Sequence, residues 1–296
     1  MARVGSGEGA APTRERITKR RQVQMARGWT PEEYWYDQQT ARHTGRGVLM
    51  QKTRTVKSGD YIDVEIFPVI DREYDRTEKR KPTPERMRAV NLRNARKQLT
   101  RLCQCNFGPG DLFSTFTCKD PCSGEEMQRI TRNFIARLRR EYRKAGKELR
   151  YIYVIESTGD GDRQRHHIHM ILNGGLDRDA IEKIWRHGLA NSRRIQDQDM
   201  GLGGLAVYMT RAKAGQEKAL KRRWAASRGL KKPVVTESKS KFSRAAAARI
   251  AQAVSLDARA EFEKRYPGYR LVEQPLVRYS DFLPGVYIYA TMKRIT

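Results

Sequence analysis

The chain has no apolar run long enough to span a bilayer, so no transmembrane helix is expected. Its opening residues, Met1-Ala-Arg-Val-Gly-Ser-Gly-Glu-Gly, contain no apolar segment, so no secretory leader is expected either. Internal repeats are absent. Cysteines are few: Cys103, Cys105, Cys118 and Cys122, with intervals that do not match a standard zinc ribbon. Reduced thiols are the expectation for a cytoplasmic protein, with a structural zinc site as the alternative. Acidic residues are scarce beside basic ones, 34 against 60, for a net charge of +26 over 296 residues. That excess points to a polyanionic partner, nucleic acid ahead of an anionic membrane surface. It carries no base identity, because phosphate contacts give affinity without sequence.

Histidine is also rare, yet three of the five occur within four positions, in Arg165-His166-His167-Ile168-His169-Met170-Ile171-Leu172. Alternate residues of a strand share a face. As a strand, this stretch projects His167 and His169 together, about 7 Å apart, and turns Ile168 and Met170 to a core. His166 then faces away, as a phosphate or structural contact. Upstream, Arg150-Tyr-Ile-Tyr-Val-Ile-Glu156 has strand composition and is joined through Gly159-Asp160-Gly161-Asp162, which reads as a hairpin. The hairpin lays Glu156 beside the histidine pair. Two imidazoles and a carboxylate suit a divalent ion, magnesium or manganese. The competing reading is a strand of satisfied structural histidines.

Around this pair the chain divides into a Gly-rich basic extension (1–54), a central domain (55–215) and a basic helical module with a closing strand (216–296). In the extension, Thr30 and Pro31 open a short helix. Tyr61–Phe67 alternates as a half-exposed strand. A cationic amphipathic helix runs from Pro84 to about Asn106, then a strand at Leu112–Cys118. Ser123 and Glu126 have capping-box spacing for a long helix, and Asp177 caps a short one. After Met200-Gly-Leu-Gly-Gly204, a helix carries Tyr208 with Arg211 and Lys213. Arg222, Arg223, Trp224, Arg228, Lys231 and Lys232 form a basic stretch for nucleic-acid backbone contacts, with Trp224 as a stacking or packing residue, and Arg165 adds a further cation. An Ala-rich helix near 243–265 and a strand at Val286–Ala290 follow.

In this order the motifs resemble the HUH endonucleases of the rolling-circle replication-initiator type. Leu112-Phe-Ser-Thr-Phe-Thr is similar to that family's first motif and His167-Ile168-His169 to its His–hydrophobic–His motif. Glu156 matches the acidic ligand, and Tyr208 the nucleophile downstream of the metal motif; conjugative relaxases usually run the other way. Gly59-Asp60-Tyr61, Pro82-Thr-Pro-Glu and Trp185-Arg-His-Gly188 are similar to replication proteins of plasmids, phages and small circular single-stranded DNA viruses. The family's lysine after the tyrosine is replaced by Arg211, with Lys213 two residues on, so that role stays open between them.

The resemblance implies an α+β fold, an antiparallel sheet of about five strands with helices packed mainly on one face and the histidine strand central. It implies nicking and rejoining of single-stranded origin DNA through a 5′-phosphotyrosyl link, in the cytoplasm of a bacterial host. No P-loop sequence is present, so helicase and polymerase are expected as separate partners. The alternatives are a single-tyrosine transposase or relaxase on the same fold and a non-catalytic single-stranded DNA-binding protein.

Overall fold

The computed structural model describes residues 48–71, 84–158, 165–197, 199, 201–210, 224–252, 256–279 and 286–295. The fold is α+β, with two antiparallel sheets and one helix lying between them. The expected basic arm at 1–47 and its helix start lie outside the described residues. No described helix is long and apolar enough to cross a membrane.

The site-bearing sheet contains β3 (Leu112–Cys118), β4 (Tyr151–Thr158), β5 (Arg165–Leu172), β6 (Gly188–Arg194) and the short β7 (Ala225–Ala226). Their order across the sheet is β6–β3–β5–β4–β7. β3, β4 and β5 are strands where the sequence predicts them, and β5 is central. β6 has no alternating apolar pattern, and the sequence reading misses it. Tertiary contacts hold it extended. Ser192 N–H donates to Glu182, Lys119 N–H to the His187 carbonyl, and Ile195 N–H to the Asp111 carbonyl. Gly188, at φ 140°, lets β6 approach β3, since a Cβ there would lie 2.4 Å from the Thr117 carbonyl oxygen.

One face of this sheet is covered by α2 (Gly124–Lys144) and α3 (Arg178–Ile184), over a core that includes Leu112, Phe116, Phe134, Leu138, Ile168, Met170 and Trp185. Phe116 packs against the Phe134 and Trp185 rings at 4.6 and 5.4 Å. Ser123 caps α2 by accepting from Glu126 N–H, as its spacing predicts. The capping box is only half formed, because the Glu126 carboxylate is taken by Arg129. Asp177 makes no side-chain cap on α3; its carboxylate faces Arg194 at 3.5 Å.

On the other face, α1 (Pro84–Asn106) and α4 (Gly203–Met209) cover the Phe113, Ile152, Val154 and Ile171 end with Leu99, Cys103, Ala206 and Met209. α1 also turns cations to the second sheet. Arg101 bonds Asp63 at 2.7 Å and Glu65 at 3.1 Å, and Lys97 reaches Glu65 at 3.2 Å. The apolar stripe of α1 thus serves one sheet and its charged stripe the other.

That second sheet joins β1 (Val48–Ser58) and β2 (Tyr61–Asp71) to strands from far along the chain: β8 (Val234–Ser238), β9 (Tyr269–Leu271), β10 (Leu276–Tyr279) and β11 (Val286–Arg294). Gly59, at φ 61°, makes the β1–β2 turn directly against α1, where a Cβ would lie 2.2 Å from the Gln104 carbonyl oxygen. β2 is not half-exposed as its alternation suggests. Ile62, Val64 and Ile66 pack on α5 (Arg244–Gln252) and α6 (Leu256–Arg265), while Asp63 and Glu65 are covered by α1. The Ala-rich stretch forms these two helices rather than one, and five strands accompany them beyond Trp224 among the described residues.

Candidate active site

Strand register assembles the site. Directly opposed residues of antiparallel strands point to the same face. Glu156 stands opposite His167, His167 opposite Thr117, and Thr117 opposite Leu189, making one row across four strands. The next row is Val154, His169, Thr115 and Asn191, and the third Ile152, Ile171, Phe113 and Arg193. The hairpin pairing predicted for Glu156 is therefore the one found.

Each histidine is held by a threonine of β3. His167 Nδ1 pairs with the Thr117 hydroxyl at 2.9 Å, and His169 Nδ1 with Thr115 at 3.1 Å. The rings lie 6.4 Å apart, 13° from parallel, and Phe113 continues the stack 6.1 Å beyond His169 at 10°. Anchoring at Nδ1 turns both Nε2 atoms to the same side. His169 Nε2 meets Glu156 Oε2 at 2.9 Å. Among the described residues no group of three or more His, Cys, Asp or Glu side chains is already splayed to hold a metal ion; Glu156 instead closes on His169. The donor chemistry and the threonine anchoring nonetheless fit a divalent ion. The sequence reading passes over both threonines, although alternation in Thr115-Phe116-Thr117 is the signal that finds them.

Tyr208 lies on α4 above this face, 43% exposed. Its ring meets His169 edge-on at 5.1 Å and Phe113 at 6.0 Å. The loop leading into α4 is clamped to the second sheet: Lys293 pairs with Asp197 at 2.7 Å, Arg270 with Asp199, and Gly201 abuts the Tyr61 ring. Arg96 of α1 donates to the Thr210 hydroxyl just past the helix. A cleft of about 730 Å³ opens beside Tyr208, with Phe113, Arg178, Arg193 and Arg194 on its walls.

The other candidates divide. His166 faces away, as expected, but is buried, with Nδ1 bonded to Ser157 at 2.8 Å. Burial lowers its pKa against the opposing influence of the Cys122 carbonyl. It is a structural histidine, and a DNA contact at that buried position is ruled out by its lack of exposure. Arg165 is exposed at the start of β5. Trp224 is a packing residue on the α1–α4 core, next to β7 at the β4 edge. Arg228, Lys231 and Lys232 are exposed beyond it, with Lys231 backbone tied to Asn106. β7 pairs at Ile152, about 13 Å along β4 from Glu156, so these cations flank the site without entering it. Arg211, Lys213, Arg222 and Arg223 lie outside the described residues. All four cysteines are free, and burial pushes the Cys103 and Cys118 thiols up to about 12, neutral rather than the thiolates zinc binds.

Residues 111–213 match the family model of the replication-associated proteins of the ORF2 type. The match supports a replication initiator. It runs from the start of β3 past α4, and so includes both histidines, both threonines, Glu156 and Tyr208. No curated protein and no solved structure matches the chain.

Proposed function

We propose that the protein nicks and rejoins single-stranded DNA at a replication origin through a covalent bond to Tyr208. The observation that carries this reading is the tyrosine ring edge-on to His169, 5.1 Å away, over a face bearing His167 and Glu156. A magnesium or manganese ion held by His167, His169 and Glu156 would stabilise charge on a non-bridging oxygen of the scissile phosphate. The remaining steps belong to the chain. The Tyr208 phenol loses its proton and its oxygen attacks phosphorus in line. The bond to the 3′ oxygen breaks, and that oxygen takes a proton and departs as a 3′-hydroxyl able to prime synthesis. The 5′ phosphate stays on Tyr208, and attack by a 3′-hydroxyl reverses the exchange without outside energy. Arg211 or Lys213 supplies the cation that follows the tyrosine in this reading. Helicase and polymerase act as separate proteins.

The test is incubation with labelled single-stranded circles and manganese or magnesium, with and without EDTA, read on a denaturing protein gel. A metal-dependent labelled band that vanishes in Tyr208→Phe is expected. Tight DNA binding with no band across a random sequence pool would overturn the assignment in favour of a binding protein.

A further inference from the structure

β6 puts a side chain into each row of the site, and none of the three has a part in the chemistry above. Leu189 stands beside Thr117 and His167 and is 77% exposed, a large apolar group left open on a sheet face. Asn191, also exposed, stands beside Thr115. Arg193 lies on Phe113 with its guanidinium 5.1 Å from the ring centre, fixed at the wall of the cleft that reaches Tyr208. Arg194 and Arg178 share that wall. Asp177 also lines it, 3.5 Å from Arg194, and Asp179 holds Arg178 at 3.3 Å. These four side chains are all more than half exposed, so both pairs are weak and an incoming phosphate can replace either carboxylate at little cost.

The geometry points to β6 as a reading strip for single-stranded DNA. Bases next to the scissile phosphate lie against Leu189 and within reach of the Asn191 amide, while Arg193, Arg194 and Arg178 hold the phosphates of the strand continuing through the cleft past Tyr208. The occupant follows from charge and form together. The cleft wall is cationic for a polyanion, and the apolar platform and amide fork beside the histidines match the face and edge of an unpaired base. A duplex offers neither, since its bases are stacked and paired. The inference rests on the proposed nicking reaction and supplies its sequence preference.

The test sequences the DNA strands captured covalently from a randomised pool in the presence of manganese, by the wild type and by Asn191→Ala, Leu189→Ser and Arg193→Met. In parallel, fluorescence anisotropy on the Tyr208→Phe background measures non-covalent affinity against salt. Asn191→Ala is expected to flatten the preference at one nucleotide position by on the order of 10-fold, the range for loss of a bidentate base contact. Arg193→Met should weaken binding at every sequence and reduce the logarithmic salt slope by about 0.7, as for one lost single-strand phosphate contact. Captured sequences and salt slopes identical to wild type in all three variants would refute the strip while leaving nicking intact. If the wild type captures nothing, the nicking assignment fails, and unchanged anisotropy slopes would then reject the strip on their own. All three side chains are exposed, and unchanged melting checks that the fold is preserved.

Discussion

Replacing Thr115 and Thr117 together by valine tests whether β3 tunes the histidines or merely touches them. Glu156 as a carboxylate offers only acceptors, so the His169 Nε2 facing it carries a proton, and Thr115 donates its hydroxyl hydrogen to Nδ1. For Nε2 to offer its lone pair to an ion, the proton must sit on Nδ1, and the same hydroxyl then accepts. A threonine can do both and valine neither. Each hydroxyl bond is worth about 1 kcal/mol to the fold, and both threonines are half-buried, so water can replace part of that. The double variant should therefore lose no more than about 2 kcal/mol of stability. Ligand orientation is more sensitive: loss of such a supporting bond weakens metal binding by about 10- to 100-fold, or about 1.4–2.7 kcal/mol per site. Calorimetric titration with manganese reads the affinity, and long-range nitrogen–proton NMR of the imidazoles reads the tautomers. Manganese binding within twofold of wild type, with unchanged tautomers, would refute the argument. Loss of binding in Glu156→Gln alongside that result would keep the ligands and discard only the threonines.

Further outcomes follow from the helix between the sheets. Arg101→Met leaves Asp63, 11% exposed at its side chain, without its main partner and should cost about 3 kcal/mol in urea unfolding; adding Asp63→Leu should recover most of it, and no recovery would mean the pair is not the cause. Gly201→Ala forces a φ of 58° on a residue with a Cβ, 2.7 Å from the Tyr61 ring, and should cost at least about 1–2 kcal/mol while slowing adduct formation. An unchanged adduct rate would separate Tyr208 from its lead-in loop. Burial pushes the Glu65 carboxyl up, but the charges and hydrogen bonds of Lys97 and Arg101 outweigh it and hold the group below its usual value. The unfolded chain therefore binds the proton first, so this contribution is complete above about pH 4.5 and fades as pH falls below it. Glu65→Gln should flatten the acid limb of the stability profile, and an unaltered limb counts against the pairing.

The site sheet is largely legible in the sequence because its strands obey period two and its residues fall in register. His167, His169 and Glu156 align from the sequence alone, since a hairpin leaves one in-register solution for them. β6 is not legible. Gly188-Leu-Ala-Asn-Ser-Arg-Arg194 has no strand signature, and its extended form depends on Glu182, Asp111 and a glycine that only the fold brings to it. The second sheet is hidden for a related reason. Asp63 and Glu65 read as solvent-facing residues, and only α1, arriving with Lys97 and Arg101, makes burial of those acids tolerable. Tyr208 can be assigned to a helix but not to a neighbour, because packing across α1 decides what it touches.

The clamp on the loop before Tyr208 has a consequence for the order of events on the ribosome. β3 through β6 are made within one short stretch, so the histidine sheet can form early in synthesis. The second sheet closes only through partners such as Thr291 and Asp63, 228 positions apart, and Lys293 and Arg270 reach Asp197 and Asp199 only when those late strands emerge. A growing chain thus carries a finished cradle of histidines before its tyrosine is fixed, and a strand captured by an unfinished molecule meets a nucleophile not yet locked in place.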